Sequence, residues 1–208
     1  MFISDNARLL VNENQIEPNI APYLYRLKTE RKEVHLHSLN VAYLVAEILL
    51  RDFKGELGEL TEADKVPLNE VVQGALLHDI GKLKIDNSIL LKDKELSSKE
   101  YEEIKKHPLL GYEMIKDNPQ LSDITKQIVL SHHERADGKG YPYGITNIDN
   151  SIKIVNYCDR YDAMTEDRKY RAKKSVYTAL RILKDEIIET QNESDFDFLM
   201  LLASVNFL

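Results

Sequence analysis

The chain has 208 residues, 43% hydrophobic and 30% charged, the balance of a soluble globular domain with enough apolar matter for a core. A formal net charge of -7 at pH 7 leaves no basic footprint for a nucleic-acid polymer, although metal ions and a few local cations still admit a small anionic substrate. The single cysteine, Cys158, excludes an intrachain disulfide framework and fits a reducing compartment. No apolar run reaches the ~20 residues of a membrane span, and the N-terminus lacks a secretory pattern. The expected setting is the cytoplasm, with no membrane partner.

With only 8 glycines and 6 prolines, a turn-rich sandwich or barrel is disfavoured and helices joined by short loops are expected. Residues 1–31 read as an N-terminal arm in which Pro18 and Pro22 break any early helix. The domain proper is expected over residues 32–208. From Lys32 to Asp52 the apolar Leu36, Leu39, Tyr43, Val45 and Ile48 fall near a helical period. Pro67 can open the next helix, which carries Val71, Val72, Ala75, Leu76 and Leu77 into His78-Asp79. Ser97-Ser98-Lys99-Glu100 has the capping-box pattern, and the helix it starts meets a break near His107-Pro108. A helix from Asp123 carries Ile124, Ile128 and Val129 on the face of His132-His133. Asp137 to Gly144 is the one strongly irregular segment. Ser151 to Met164, Ser175 to Glu189 and the apolar Phe196 to Leu208 read as further helices. The fold class is all-α.

Five of the six histidines lie beside a carboxylate, another histidine or a helix end, and imidazole with carboxylate suits divalent iron, manganese or zinc. Glu33 and His37, four apart, share a helix face. His78-Asp79 and His132-His133 each follow an apolar helical run, and Asp159 and Asp162 share a helix with Ile154 and Val155. Singly, each has a plain structural reading: a capped core histidine, or a surface i,i+4 pair. His35 faces away from His37 and reads as a surface residue, and Glu134 reads as solvated. Together they place too many ionisable groups on core-facing helices to be left uncompensated. A polynuclear metal centre explains them, since two metals ~3.5–4 Å apart clamp a phosphodiester and lower the pKa of a shared water.

The string His132-His133-Glu134-Arg135-Ala136-Asp137-Gly138-Lys139-Gly140-Tyr141-Pro142 resembles the HHExxDGxGYP signature of the HD-GYP domains. The likeness extends to His78-Asp79-Ile80-Gly81-Lys82 upstream, and to Asp159-Arg160-Tyr161-Asp162-Ala163-Met164 and Asp167-Arg168-Lys169-Tyr170-Arg171 downstream. His37-Ser38 with Val41-Ala42 resembles the helix that opens the family domain. The resemblance implies an HD-domain helical bundle with a polynuclear metal site in its core. It also implies hydrolysis of cyclic di-GMP to pGpG or on to GMP with two or three iron or manganese ions. His78, Asp79, His107, His132, His133 and Asp159 would then be metal ligands, with Asp79 bridging, and Glu33 with His37 would hold a third ion. Lys82 would face a phosphate and serve the leaving oxygen, so Asp79 and Lys82 carry the catalytic roles. Arg168 and Arg171 match cationic substrate contacts, and Tyr141 would pack on a guanine or brace the loop. Asp137 belongs to the loop motif, where a role in structuring the loop stands beside one in direct catalysis.

One departure is Lys153 where the family has arginine, which keeps the charge and loses the bidentate fork. Two alternatives stand beside the phosphodiesterase: a noncatalytic cyclic-dinucleotide sensor, and a phosphohydrolase for another cyclic dinucleotide such as cyclic GMP-AMP. A homodimer or a signalling protein remains open as a partner.

Overall fold

The computed structural model describes residues 3–11, 19–52, 67–166, 172–190 and 195–207, and among these every regular element is helical. Two helices occupy the expected arm, α1 (Asp5–Leu10) and α2 (Ala21–Glu30), which corrects the reading of that segment as broken. Pro22 sits in the first turn of α2, where a missing N–H leaves no hydrogen bond unmade; Pro18 lies outside the described residues. Ala7, Val11, Ile20, Leu24 and Leu27 enter the same apolar core as the rest of the chain. Glu47 also accepts the backbone N–H of Ser4.

Helix α3 (Lys32–Asp52) is the axis of the bundle. In its second half Val41, Ala42, Leu44, Val45, Ala46, Ile48 and Leu49 are all buried, and a helix apolar on all sides must be covered on all sides. Helix α4 (Leu68–Leu77) begins after Pro67 and lies against α3. A 3-10 turn (Ile80–Lys84) and the short α5 (Asn87–Leu90) lead to α6 (Ser98–Ile104). The capping box forms at α6: the Glu100 N–H donates to Ser97 Oγ, and the Ser97 N–H donates to the Glu100 carboxylate at 2.7 Å. Helix α7 (His107–Ile115) packs on the 3-10 turn and on α8 (Asp123–Ser131), which in turn packs on α4.

Helix α9 (Asn150–Thr165) closes the other side of α3, and α10 (Val176–Glu189) with α11 (Phe196–Phe207) packs outside it. Gly81 sets the approach of the turn to α7. A Cβ there would lie 1.9 Å from the His107 carbonyl oxygen and 2.5 Å from the Gly111 nitrogen, so only glycine lets the two backbones meet. That contact brings His107 beside Asp79. No described helix is long and apolar enough to cross a membrane.

Candidate metal centre

Three histidines are placed by helix ends. His78 caps α4, His132 caps α8, and His107 opens α7 directly after α6. The last carbonyls of a helix have no intrahelical donor, and these imidazoles supply one. His78 Nδ1 lies 2.7 Å from the Ala75 carbonyl, His107 Nδ1 2.8 Å from that of Ile104, and His132 Nδ1 3.1 Å from that of Val129. A carbonyl partner requires the ring proton on Nδ1, which leaves the Nε2 lone pair free to ligate.

Those lone pairs converge. His107 Nε2 and His132 Nε2 are 3.1 Å apart, two acceptors facing one another with both ring protons committed elsewhere. Asp79 Oδ1 is 3.2 Å from His107 Nε2, and Asp79 Oδ2 is 3.4 Å from His78 Nε2. His78 Nε2 and Asp79 Oδ1 are buried without a hydrogen-bond partner, an arrangement that costs free energy unless a cation is taken up. Burial holds the His107 and His133 imidazoles down to about 3 and His132 well below its ordinary value, so all three are neutral donors at neutral pH. Burial would raise the Asp79 carboxyl, but the Lys82 ammonium and the neighbouring His78 outweigh it and hold it low.

The donors form three groups, within each of which the ligand atoms lie within 4.8 Å of one another: His107, His132 and His133; His37, His78 and Asp79; and His37, Asp162 and Glu166. Asp79 links the first group to the second, and His37 links the second to the third. His37 is clasped by two carboxylates of α9, with Nε2 2.9 Å from Asp159 Oδ1 and Nδ1 2.7 Å from Asp162 Oδ2. Burial lowers its pKa, but the two hydrogen bonds override this and raise it to about 9. A proton thus holds a place where positive charge is needed. Imidazole and carboxylate donors clustered in this way fit divalent cations, one of which would take the place of the His37 proton.

The loop after His133 is built around Glu134. Its buried carboxylate accepts the backbone N–H groups of Tyr143 at 2.7 Å, Gly144 at 3.2 Å and Ile145 at 3.1 Å. This corrects the solvated reading of Glu134. Asn156 Nδ2 donates to the His132 carbonyl at 2.7 Å, fixing the two-histidine turn from α9. A Cβ at Gly140 would fall 2.4 Å from the Arg135 nitrogen, so the loop folds tightly onto its own start only with glycine. Tyr141 thereby stacks on His133, with ring centroids 4.6 Å apart, and Lys105 Nζ lies 5.4 Å from the centroid of the Tyr141 ring. Arg135 forks Asp137 at 3.0 and 2.8 Å, a loop-structuring contact.

The remaining expected positions fall as follows. Lys82 Nζ is 2.6 Å from Asp79 Oδ2 and partly exposed. Glu33 is exposed on α3 and belongs to none of the three groups; Asp162 and Glu166 stand beside His37 instead. Asp162 was visible in sequence as the partner of Asp159 three residues on, whereas Glu166 carried no motif signal. His35 is buried, against its expected surface position. Lys153 reaches Asp195 Oδ1 at 2.9 Å, and Tyr157 donates to the same carboxylate, so Lys153 ties α9 to the start of α11. Arg168 and Arg171 lie outside the described residues.

A family profile described as "HD domain" matches residues 2–189. The chain is similar to the Cyclic di-GMP phosphodiesterase PA4108 of Pseudomonas aeruginosa, 34% identical over 166 residues, covering 79% of this chain and 38% of that protein. It is similar also to a Cyclic di-GMP phosphodiesterase of Thermotoga maritima, 34% identical over 152 residues, covering 72% of this chain and 39% of that one. The chain therefore spans about two-fifths of the length of these relatives. Among solved structures, the HD domain of the L. monocytogenes phosphodiesterase PgpH superposes with a TM-score of 0.60 at 20% identity, covering 89% of this chain and 97% of that domain. That domain has also been solved in complex with cyclic-di-AMP. The likeness is one of fold, and the profile match over nearly the whole length establishes that the chain, whose sequence carries His-Asp at 78–79 and Gly-Tyr-Pro (the GYP loop) at 140–142, belongs to the HD domain family.

Proposed function

We propose that the chain is the catalytic domain of a cyclic di-GMP phosphodiesterase that works with two or three divalent ions, iron or manganese. The observation that carries this is the set of committed Nδ1 protons, which leaves His78 and His107 Nε2 beside Asp79 and His107 Nε2 against His132 Nε2 without a ring proton between them. His107, His132 and His133 would hold one ion, His78, His37 and Asp159 a second, with Asp79 shared. Asp162 and Glu166 with His37 offer the third place that Glu33 was expected to fill. Ions held there would supply Lewis-acid charge and lower the pKa of a water so that it deprotonates near neutral pH.

The chain's own residues would do the rest. Hydrolysis forms a bond from the water oxygen to phosphorus and breaks the bond to the 3′ oxygen, which leaves with a proton. Lys82, whose Nζ lies 2.6 Å from Asp79 Oδ2 at the partly exposed edge of the buried cluster, would give that proton or cover the developing charge. Arg168 and Arg171 would hold the second phosphate. Tyr141, stacked on His133 and within 5.4 Å of Lys105 Nζ, would keep that ligand turned and wall off solvent. The identity of the two relatives named above supports cyclic di-GMP as the substrate.

The test is cyclic di-GMP hydrolysis by protein purified anaerobically, with metal content measured on the same sample. Turnover that scales with two or more iron or manganese ions per chain is expected. Metal with tight binding and no turnover would replace this reading with that of a sensor.

A further inference from the structure

The mechanism above leaves a second cluster of charge unused. A small cleft is lined by Arg135, Lys153, Arg160, Glu186, Thr190 and Asp195, and one carboxylate in it has two guanidinium partners. Glu186, on α10, takes Arg135 Nη1 on one oxygen and Arg160 Nη2 on the other. Arg135 is two residues beyond His133 and forks Asp137 inside the GYP loop. Arg160 directly follows Asp159 on α9. An alternating run of charge, Asp137, Arg135, Glu186, Arg160, therefore joins the loop to the helix that carries the Asp159 and Asp162 carboxylates, through a residue of a third element.

Like charges brought together in a partly buried cleft repel, and burial and the Arg135 charge both push the Arg160 guanidinium below its ordinary value. Asp137 pairs with Arg135 at 2.8 Å and with Lys139 at 3.7 Å, both on its own loop. Without the Glu186 carboxylate the two guanidiniums would have to part, and their separation moves the loop relative to α9. Arg–carboxylate contacts fix orientation as well as distance, so the bridge sets an angle between two walls of the site.

We infer that Glu186 is a positioning residue: through Arg135 and Arg160 it sets the GYP loop against α9 and so holds Tyr141 over His133 for a cyclic dinucleotide. This rests on the cyclic-dinucleotide phosphodiesterase reading of the site. Glu186 belongs to none of the donor groups of the metal centre, and its effect is on the large substrate that would span both walls. A small phosphodiester that meets only the metal cluster feels it little.

The experiment compares cyclic di-GMP with bis(p-nitrophenyl) phosphate, a phosphodiester without a nucleobase, on the wild-type chain, Glu186→Gln and Glu186→Asp. Iron and manganese content and Tm are read on the same samples. Glu186→Gln should lower kcat/KM for cyclic di-GMP by about tenfold or more, mainly through KM, with bis(p-nitrophenyl) phosphate changed less than about threefold. Metal content should hold, and Glu186→Asp, which keeps the charge, should recover most of the loss. Equal losses on both substrates in step with a lower Tm would make Glu186 a fold-stabilising residue only, and no loss on either would remove it from the site. A wild-type chain that cleaves the small diester and leaves cyclic di-GMP intact overturns the substrate reading itself, a result visible before any variant is measured.

Discussion

Replacing Glu134 by glutamine keeps the shape of the side chain and removes one acceptor and the charge. Oε1 accepts from the N–H groups of Tyr143 and Gly144, and Oε2 from that of Ile145. Glutamine has one oxygen, so in either orientation at least one of these N–H groups faces an NH2 donor. A hydrogen bond to a charged partner contributes about 1.5–3 kcal/mol, and a buried donor left unpaired costs about 1–3 kcal/mol. One bond lost and the others weakened give about 2–4 kcal/mol, or roughly 30- to 1000-fold in the population of the released loop. Amide hydrogen exchange at Tyr143, Gly144 and Ile145 reads that population directly, and should accelerate by the same factor. Cyclic di-GMP turnover should fall with it, while metal content stays, because Asn156 holds the His132 carbonyl independently at 2.7 Å. Unchanged exchange at these three amides would refute the clamp whatever the activity does.

Asp79→Ala removes the carboxylate that links two donor groups; metal content should fall and turnover be lost, and a variant with wild-type metal content and rate would sink the bridging role. Lys82→Ala should slow cyclic di-GMP hydrolysis by about 10²–10⁴-fold, the range for a positioned proton donor, with metal retained; loss of metal instead would make Lys82 a partner of Asp79 only. Gly81→Ala places a Cβ 1.9 Å from the His107 carbonyl oxygen. Overpacking against backbone should cost at least about 3 kcal/mol, read as a Tm lower by roughly 6–12 °C for a chain of this size, and an unchanged Tm would show that α7 can give way. Arg168→Ala should raise KM for cyclic di-GMP by about 10- to 100-fold with kcat nearly kept, as for one charge-assisted phosphate contact; a fall in kcat at constant KM would move Arg168 to the transition state.

What the sequence determined by itself was local. Proline, serine caps and apolar periodicity located the helices within a few residues, because each signal acts over one or two turns. They also located His78, His107 and His132 at helix ends, which is where a ring nitrogen finds a free carbonyl three or four residues back. The string from His132 to Pro142 was legible because its residues are contiguous.

The same local reasoning misplaced Pro22, His35 and Glu134, and did not group Asp162 and Glu166 with His37. In each case the deciding contact is not local or lies on an element whose partner the sequence does not name. His37 meets Asp162 across 125 positions of chain, and the carboxylate of Glu134 is satisfied by backbone N–H groups nine to eleven residues on. Glu33 and His37 do share one side of α3 by spacing, yet one is exposed and the other buried. Helix α9 packs on α3 and brings Asp159 and Asp162 to His37. Periodicity tells which residues share a face. Only packing decides which element that face meets, and therefore which carboxylates complete the site.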